Sequence, residues 1–210
     1  GVQTCSLPIS PPVDVTARTM PRMASTLFDN RLLRPLLGRL SRALLRLARW
    51  RVEGALSPQA ERCVVIAAPH TSNWDFPYTL LGAFALGMNI RWLGKASLFR
   101  GPMGPLMRWL GGIPVHRDRN TGLVASSVQA LRAAPGPLQL VLAPEGTRAR
   151  AAEWKPGFHH IARGAGLGIQ LAYLDWGSAA WAWARWSCPP RTWTATRSEE
   201  RRVGKECRSR

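Results

Sequence analysis

Short apolar runs alternate along the chain with longer segments in which apolar residues recur at helical spacing. Such runs predict buried strands, whereas the longer segments predict helices. The predicted strands lie at residues 63–68, 90–94, 113–115, 138–142 and 169–174, after a short strand and turn at 51–54. The predicted helices lie within residues 74–86 and at 105–110, 123–133 and 158–163. Because strand and helix alternate, the sequence predicts an α/β fold: a single domain with a largely parallel sheet flanked by helices.

A segment rich in leucine and arginine precedes these elements. Residues 31–51 contain seven arginines and no acidic residue. On a helical wheel, most of the leucines fall within about 100° and most of the arginines face the opposite side. The leucines are Leu33, Leu36, Leu37, Leu40, Leu44 and Leu47, and the arginines are Arg31, Arg34, Arg39, Arg42, Arg46 and Arg49. A leucine stripe more often packs into a core, but a solvated face usually mixes charges of both signs. We therefore predict an N-terminal amphipathic helix that lies on anionic lipid, with burial in the core as the alternative.

The chain is strongly basic, with a formal net charge of +17. Residues 20–176 contain 20 basic and 8 acidic residues, so the excess is not confined to the ends. Such an excess indicates an anionic partner, which leaves nucleic acid, a phospholipid surface or phosphorylated substrates. Nucleic acid is the weaker choice because the sequence contains none of the common nucleic-acid-binding modules. The four cysteines are widely scattered and indicate neither a zinc site nor a disulfide framework.

The two ends differ in character from the rest of the chain. Residues 197–210 (RSEERRVGKECRSR) and 1–9 (GVQTCSLPI) resemble translated sequencing adapters, and Met20 or Met23 is a better candidate start than Gly1. Residues 177–196 contain four of the ten tryptophans with no usable period, and a frameshift near residue 179 would explain this. We therefore expect a non-native leader at 1–19, the domain at 20–176, and a frameshifted, adapter-derived or disordered tail at 177–210.

A histidine and a carboxylate lie close together just after the first buried strand, as His70 and Asp75. Five residues of separation would place them about 140° apart on a continuous helix, so they can meet only across a turn. Ser72 and Asn73 are good N-cap residues, and a helix that begins there carries Asp75 in its first turn. In that geometry Asp75 can fix the histidine tautomer and leave the other ring nitrogen free as a general base. By itself the pair is equally compatible with a structural role.

Four short sequence blocks, one of which contains His70 and Asp75, occur in a fixed order along the chain. They are HTSNWD at residues 70–75, GK at 94–95 with GGIPVHR at 111–117, PEGTR at 144–148, and KPG at 155–157. In these blocks and in their order, residues 31–176 resemble the glycerolipid acyltransferase family, whose bacterial prototype acylates 1-acylglycerol-3-phosphate. The resemblance implies that His70 and Asp75 are catalytic. His70 would take the proton from the acceptor hydroxyl as its oxygen attacks the thioester of acyl-CoA or acyl-carrier protein, and Asp75 would hold the ring.

The resemblance also assigns the PEGTR turn to the phosphate of the acceptor. Glycine allows a backbone to present N–H groups to an anion, and arginine can bind a phosphate through two parallel hydrogen bonds. The candidate substrate-binding residues are Glu145, Gly146, Thr147, Arg148, Lys95 and Arg117. For Glu145 a structural role is equally compatible with the sequence, and Lys95 and Arg117 can also be read as solvated surface residues. No metal and no cofactor is expected, because the acyl donor is a substrate. Two adjacent histidines, His159 and His160, point in different directions on a helix and are read as structural.

We therefore expect a peripheral enzyme at the cytoplasmic face of the membrane that acylates a lysophospholipid, with 1-acylglycerol-3-phosphate as the leading acceptor and phosphatidic acid as the product. The longest apolar run, residues 76–90, is shorter than the roughly 20 residues that a spanning helix needs. The expected partners are the lysophospholipid, acyl-CoA or acyl-carrier protein, and an anionic membrane surface, without nucleic acid. The alternatives are another lysolipid or an amino-acid lipid as acceptor, or an inactive module that binds lipid or nucleic acid.

Overall fold

The computed structural model describes residues 25–56, 60–68, 70, 72–115, 122–146 and 154–183. In these ranges the helices are α1 (Leu33–Leu47), α2 (Asp75–Ala85), α3 (Met103–Trp109), α4 (Leu123–Ala133) and α5 (Gly157–Ala165). The strands are β1 (Arg51–Glu53), β2 (Arg62–Ala67), β3 (Ile90–Lys95), β4 (Gly112–Val115), β5 (Leu138–Leu142), β6 (Gly168–Asp175) and β7 (Ala180–Trp183). Short 3₁₀ helices lie at Leu27–Asp29 and Ala96–Phe99. The predicted alternation of strands and helices, and with it the α/β class, is confirmed.

The strands form one sheet in the order β1-β7-β6-β2-β5-β3-β4. Its neighbouring strands are parallel except for the antiparallel pair of β6 and β7. The chain moves towards one edge from β2 through β3 to β4 and then returns through β5 to β6. Because crossovers between parallel strands are right-handed, α2 and α3 lie on one face of the sheet and α4 and α5 on the other. The prediction of a largely parallel sheet flanked by helices is therefore confirmed.

The central strand β2 is buried on both of its faces. Cys63 and Val65 belong to the apolar cluster under α2, whereas Val64 and Ile66 belong to the cluster under α4 and α5. A strand with two buried faces needs a continuous apolar run instead of an alternating one, which explains the sequence CVVIA in this strand. Burial also raises the pKa of the Cys63 thiol to about 12.

An ion pair joins the segment before α1 to the sheet. The buried Arg91 of β3 donates from Nη2 to Asp29 Oδ2 at 2.7 Å, and Asn89 Nδ2 donates to Asp29 Oδ1 at 3.0 Å. Burial opposes the ionisation of Asp29, but hydrogen bonds from Thr26 and Asn89 and the charge of Arg91 prevail, so the pKa of Asp29 lies below its usual value. The first described turn of the chain is thus held to β3 by charge as well as by packing.

Helix α1 packs on α2 through small residues. At Gly38 a Cβ atom would lie 2.9 Å from the carbonyl oxygen of Phe84, so a side chain there would force the two helices apart. Ser41 and Leu45 are buried on the same side of α1. Arg42 donates to the carbonyl of Ala85 at 2.8 Å, and Arg34 likewise donates to the carbonyl of Gly87. These two arginines therefore satisfy carbonyl groups at the C-terminus of α2 and are not part of a free basic face.

The leucine stripe of α1 is turned away from this contact. Leu36 is 60% exposed, Leu40 is 50% exposed and Leu47 is 83% exposed, and Leu33 and Leu44 are also exposed. Of the six predicted stripe residues, only Leu37 packs against the core, and it is partly buried. In the part of the chain that the structure describes, no helix is both long enough and apolar enough to span a bilayer.

Strand β7 lies beyond residue 176, in the range that the sequence analysis assigned to a tail. It pairs parallel with β1 and antiparallel with β6. Trp181 is buried and packs against Gly82 of α2, where a Cβ atom would lie 2.5 Å from the indole ring. The sequence AWAW does alternate with strand period, but four residues inside a basic, proline-rich stretch are too few to stand out. The proposed leader at residues 1–19 and residues 184–210 of the proposed tail lie outside the described residues.

Candidate active site

Three neighbouring parallel strands bring the candidate site residues to one edge of the sheet. In β2, Ile66 is in register with Leu142 of β5 and with Leu171 of β6. The carboxyl ends of these strands therefore meet at the same edge, which is where ligands bind in open α/β sheets. His70 follows β2, Glu145 and Gly146 follow β5, and Trp176 follows β6.

His70 and Asp75 are in direct contact. His70 Nδ1 lies 3.0 Å from Asp75 Oδ2, and the same oxygen accepts the backbone N–H of Ser72 at 2.8 Å. Asp75 is the first residue of α2, and Ser72 Oγ accepts the N–H of Trp74 at 3.1 Å just before it. The two side chains thus meet across the turn, with Asp75 in the first helical turn. The carboxylate is buried, whereas the histidine side chain is 32% exposed, so the imidazole is accessible from outside while its partner is shielded.

Trp176 is a further member of the site that the sequence analysis did not identify. Its indole Nε1–H donates to Asp75 Oδ1 at 2.9 Å. The ring packs edge-on against Trp50, with centroids 5.0 Å apart, and against Tyr78, with centroids 5.2 Å apart. The available signal was its position directly after a predicted strand, but the chain contains ten tryptophans and nothing in the local sequence distinguishes this one.

Glu145 joins the turn after β5 to the turn after β2. Its Oε2 accepts the backbone N–H of His70 at 3.1 Å. This contact corresponds to the structural role that the sequence analysis weighed for Glu145. The carboxylate therefore helps to fix the position from which the imidazole extends.

Gly146 has a φ of +64°, in the left-handed region that glycine adopts without strain. Its N–H donates to the carbonyl of Ala143 at 3.2 Å and is used within the turn, so this amide is not open to an anion as the sequence analysis envisaged. Instead, the side chain of Lys155 lies over the glycine, where a Cβ atom would be 3.2 Å from Nζ. The backbone N–H of Lys155 donates to the carbonyl of Pro144 at 2.9 Å, which keeps the lysine beside the turn. Lys155 was part of a matched block but had no assigned role.

Of the remaining candidate residues, the structure describes Lys95 alone. Lys95 is exposed at the carboxyl end of β3, on the same edge of the sheet. Thr147, Arg148 and Arg117 lie outside the described residues. The described site thus contains the solvent-accessible imidazole of His70, which contacts the buried carboxylate of Asp75, and Lys155 beside the neighbouring turn. Such an imidazole can accept a proton from a bound hydroxyl.

Comparisons with known proteins identify the family and agree with the fold. A protein-family model described as Acyltransferase matches residues 49–174. The crystal structure of the 1-acyl-sn-glycerophosphate (LPA) acyltransferase PlsC from Thermotoga maritima is similar, with a TM-score of 0.60 and 17% sequence identity over 81% of this chain and 76% of that chain. At this identity the similarity supports the fold alone. No curated protein matches the chain by sequence.

Proposed function

The chain belongs to the acyltransferase family, and on that premise we propose that it transfers a fatty acyl chain from acyl-CoA or acyl-carrier protein to the free hydroxyl of a lysophospholipid. We propose 1-acylglycerol-3-phosphate as the acceptor, which would give phosphatidic acid. The choice is supported by the four sequence blocks and by the acceptor of the similar Thermotoga maritima protein, a 1-acyl-sn-glycerophosphate acyltransferase. Both acyl donors are substrates, so the reaction needs no bound cofactor.

The contact between His70 and Asp75 carries the mechanism. With Nδ1 bonded to the carboxylate, Nε2 is the nitrogen available to a substrate. In the proposed reaction Nε2 takes the hydroxyl proton as the acceptor oxygen attacks the thioester carbonyl. The tetrahedral intermediate then collapses, the carbon–sulfur bond breaks, and the imidazolium returns the proton to the leaving thiolate. Asp75 stabilises the imidazolium while it exists, as a buried carboxylate does in a catalytic triad.

Lys155 supports an acceptor that carries a phosphate. Its ammonium group lies against Gly146, on the turn that also holds Glu145 and, through it, His70. A phosphate bound there would place a glycerol hydroxyl on the same edge of the sheet as the base. The proposed contribution of Arg148, two residues further on, would add a bidentate contact.

Acyl transfer from radiolabelled acyl-CoA and from acyl-carrier protein to a panel of lysolipids tests this proposal. His70→Ala and Asp75→Asn should each lower turnover by roughly 10²-fold or more, the usual scale for a positioned general base. His160→Ala, which changes an exposed histidine on α5, is the matched control and should retain activity. Wild-type turnover in His70→Ala would refute the mechanism, and a preference for a lysolipid without a phosphomonoester would refute the choice of acceptor.

We also propose that the enzyme is peripheral to an anionic membrane, with α1 as the main contact. The exposed leucine stripe is the supporting observation, because the alternative, a stripe packed into the core, would leave these residues buried. The exposed Arg39 and Arg46 lie on the polar side of α1 and are the cations available to lipid phosphates. Leucine burial at the acyl boundary and basic residues near the headgroups together describe an interfacial helix.

A second group of exposed apolar side chains lies on the same side of the sheet as α1 and α2. Met103, Leu106 and Trp109 recur at helical spacing on α3 and are exposed, as is the preceding Leu98. Residues 76–117 contain no acidic residue, so the surroundings of α3 are basic like those of α1. These residues make α3 a candidate second contact with the bilayer.

Sedimentation with phosphatidylglycerol vesicles tests the membrane proposal. Replacing Leu36, Leu40 and Leu47 by Gln should abolish most of the binding. Replacing Arg39 and Arg46 by Gln should weaken it by roughly 30-fold, from about 1 kcal/mol for each arginine, and should reduce its dependence on salt. Arg163→Gln on α5 is the control. Unchanged vesicle binding together with a lower melting temperature in the leucine variant would show that the stripe is covered within the protein instead.

A further inference from the structure

Both oxygens of the Asp75 carboxylate accept hydrogen bonds. One oxygen, Oδ2, accepts both His70 Nδ1 and the N–H of Ser72, and the other, Oδ1, accepts Nε1–H of Trp176. Two of these donors, His70 and Ser72, lie in the turn between β2 and α2, and the third, Trp176, follows the end of β6. The first two are built into the five-residue turn itself, whereas the tryptophan is 101 residues away in sequence.

Trp176 is itself held firmly. Asp175 Oδ1 accepts the N–H of Gly177 at 3.0 Å, and Asp175 Oδ2 accepts the hydroxyl of Ser178 at 2.6 Å. The last residue of β6 therefore closes the turn that follows the strand. On the other side, the indole packs against Trp50 and Tyr78, whose own rings lie 4.4 Å apart. Both the backbone and the ring plane of Trp176 are therefore fixed, and its N–H points at the carboxylate.

We propose that Trp176 is a positioning residue for acyl transfer, which acts by fixing the orientation of the Asp75 carboxylate towards His70. The inference rests on the proposed function in one respect, that His70 is the base. The torsion that rotates a carboxylate about its last bond is broad and roughly two-fold, so donors on one oxygen alone leave the plane of the group poorly defined. A donor on Oδ1 in addition to those on Oδ2 sets the plane of the group and keeps Oδ2 aimed at Nδ1. The imidazole is then held in the orientation in which Nε2 faces the substrate.

Trp176→Phe tests the proposal because it keeps an aromatic ring in the cluster and removes the N–H. We expect kcat to fall by roughly 10- to 150-fold, the scale of one hydrogen bond to a charged group, while the KM values of donor and acceptor change little. Tyr78→Phe is the matched control, since it alters the same cluster without removing a bond to Asp75, and it should retain kcat. Replacement of Trp176 by benzothienylalanine exchanges only the N–H for sulfur and should reproduce the loss seen with phenylalanine. Because the bicyclic ring is kept, such a loss comes from the missing hydrogen bond and not from altered packing.

A double-mutant cycle separates positioning from a general structural effect. In an Asp75→Ala background, Trp176→Phe should have no further effect on kcat, because the group through which it acts is gone. Multiplicative losses in the double variant, or full activity in the benzothienylalanine protein, would overturn the inference. The proposed function fails separately: it falls if His70→Ala is active, whereas an inactive His70→Ala with a fully active Trp176→Phe removes only the role of the tryptophan.

Discussion

Glu145 offers the sharpest test of how the site is held together. Its Oε2 accepts the backbone N–H of His70 at 3.1 Å, in a partly buried position. Glu145→Gln keeps an oxygen that can accept this hydrogen bond and removes the negative charge. Glu145→Ala removes the acceptor altogether and leaves the N–H of His70 unpaired. The two substitutions therefore separate the charge of the side chain from its hydrogen bond.

The expected magnitudes follow from the type of bond. A hydrogen bond to a charged group contributes about 1.5–3 kcal/mol and a neutral one about 0.5–1.5 kcal/mol, so the glutamine variant should lose about 1 kcal/mol of unfolding free energy. That corresponds to a fall of roughly 2–4 °C in Tm for a domain of this size. The alanine variant should lose about 1–3 kcal/mol. Because a displaced histidine backbone moves the base, we expect kcat to fall by about 10-fold or more in the alanine variant and by less than about 5-fold in the glutamine variant.

The assay compares kcat and the KM for each substrate, together with thermal unfolding, in wild type and both variants. A role in holding His70 predicts losses in kcat and in stability that are larger for alanine than for glutamine. A direct contact with substrate predicts a different pattern, in which the KM of the acceptor rises and the melting temperature is unchanged. If Glu145→Gln raises the acceptor KM by more than about 10-fold without loss of stability, the reasoning from the His70 contact is wrong.

Three further predictions concern the fold. Asp29→Asn should lower the free energy of unfolding by about 1–3 kcal/mol at neutral pH, because Arg91 loses a charged acceptor. Since the pKa of Asp29 is lowered, the difference from wild type in urea unfolding should persist above about pH 4. It should disappear as the pH falls through the lowered pKa. The native protein should resist alkylation of Cys63 by iodoacetamide at pH 8, because burial raises the pKa of its thiol to about 12, and rapid labelling without unfolding would contradict this. Trp181→Ala should lower the free energy of unfolding by about 3–5 kcal/mol, the usual loss for a buried aromatic residue. An unchanged Tm would show that β7 is not part of the folded domain.

The elements that the sequence predicted best are those with a strong local signal. The bounds of α4 (Leu123–Ala133) and of β5 (Leu138–Leu142) coincide with the predictions, because a long apolar period and a doubly buried strand each leave a clear pattern. The meeting of His70 and Asp75 across a turn was also predictable from their spacing, although the N-cap of α2 is Trp74 and not the predicted Ser72 or Asn73. Local sequence is sufficient in these cases because the interacting residues are near neighbours in the chain.

The packing of α1 shows where pattern alone falls short. The helical wheel gave the direction of the leucine stripe, but the surface that contacts α2 is formed by Gly38, Ser41 and Leu45. Small residues carry little hydrophobic signal even though they allow two helices to approach closely. Two of the arginines that the wheel placed on the polar face, Arg34 and Arg42, instead donate to carbonyl groups at and just beyond the C-terminus of α2. A wheel ranks faces by hydrophobicity and does not show which face has a partner.

The contact between Trp176 and Asp75 has a consequence for how the site would sit at a membrane. The backbone N–H of Trp50 donates to the carbonyl of Leu45 near the end of α1. The Trp50 ring packs on Trp176, whose indole N–H donates to Asp75. Helix α1 is therefore connected to the dyad by two packed aromatic side chains, without a flexible tether. If α1 binds the bilayer as proposed, the depth and tilt of that one helix set the distance between the lipid surface and His70. The acceptor would then be recognised at a fixed height above the membrane, which favours a lipid whose reactive hydroxyl lies close to its headgroup over one in which the two are far apart.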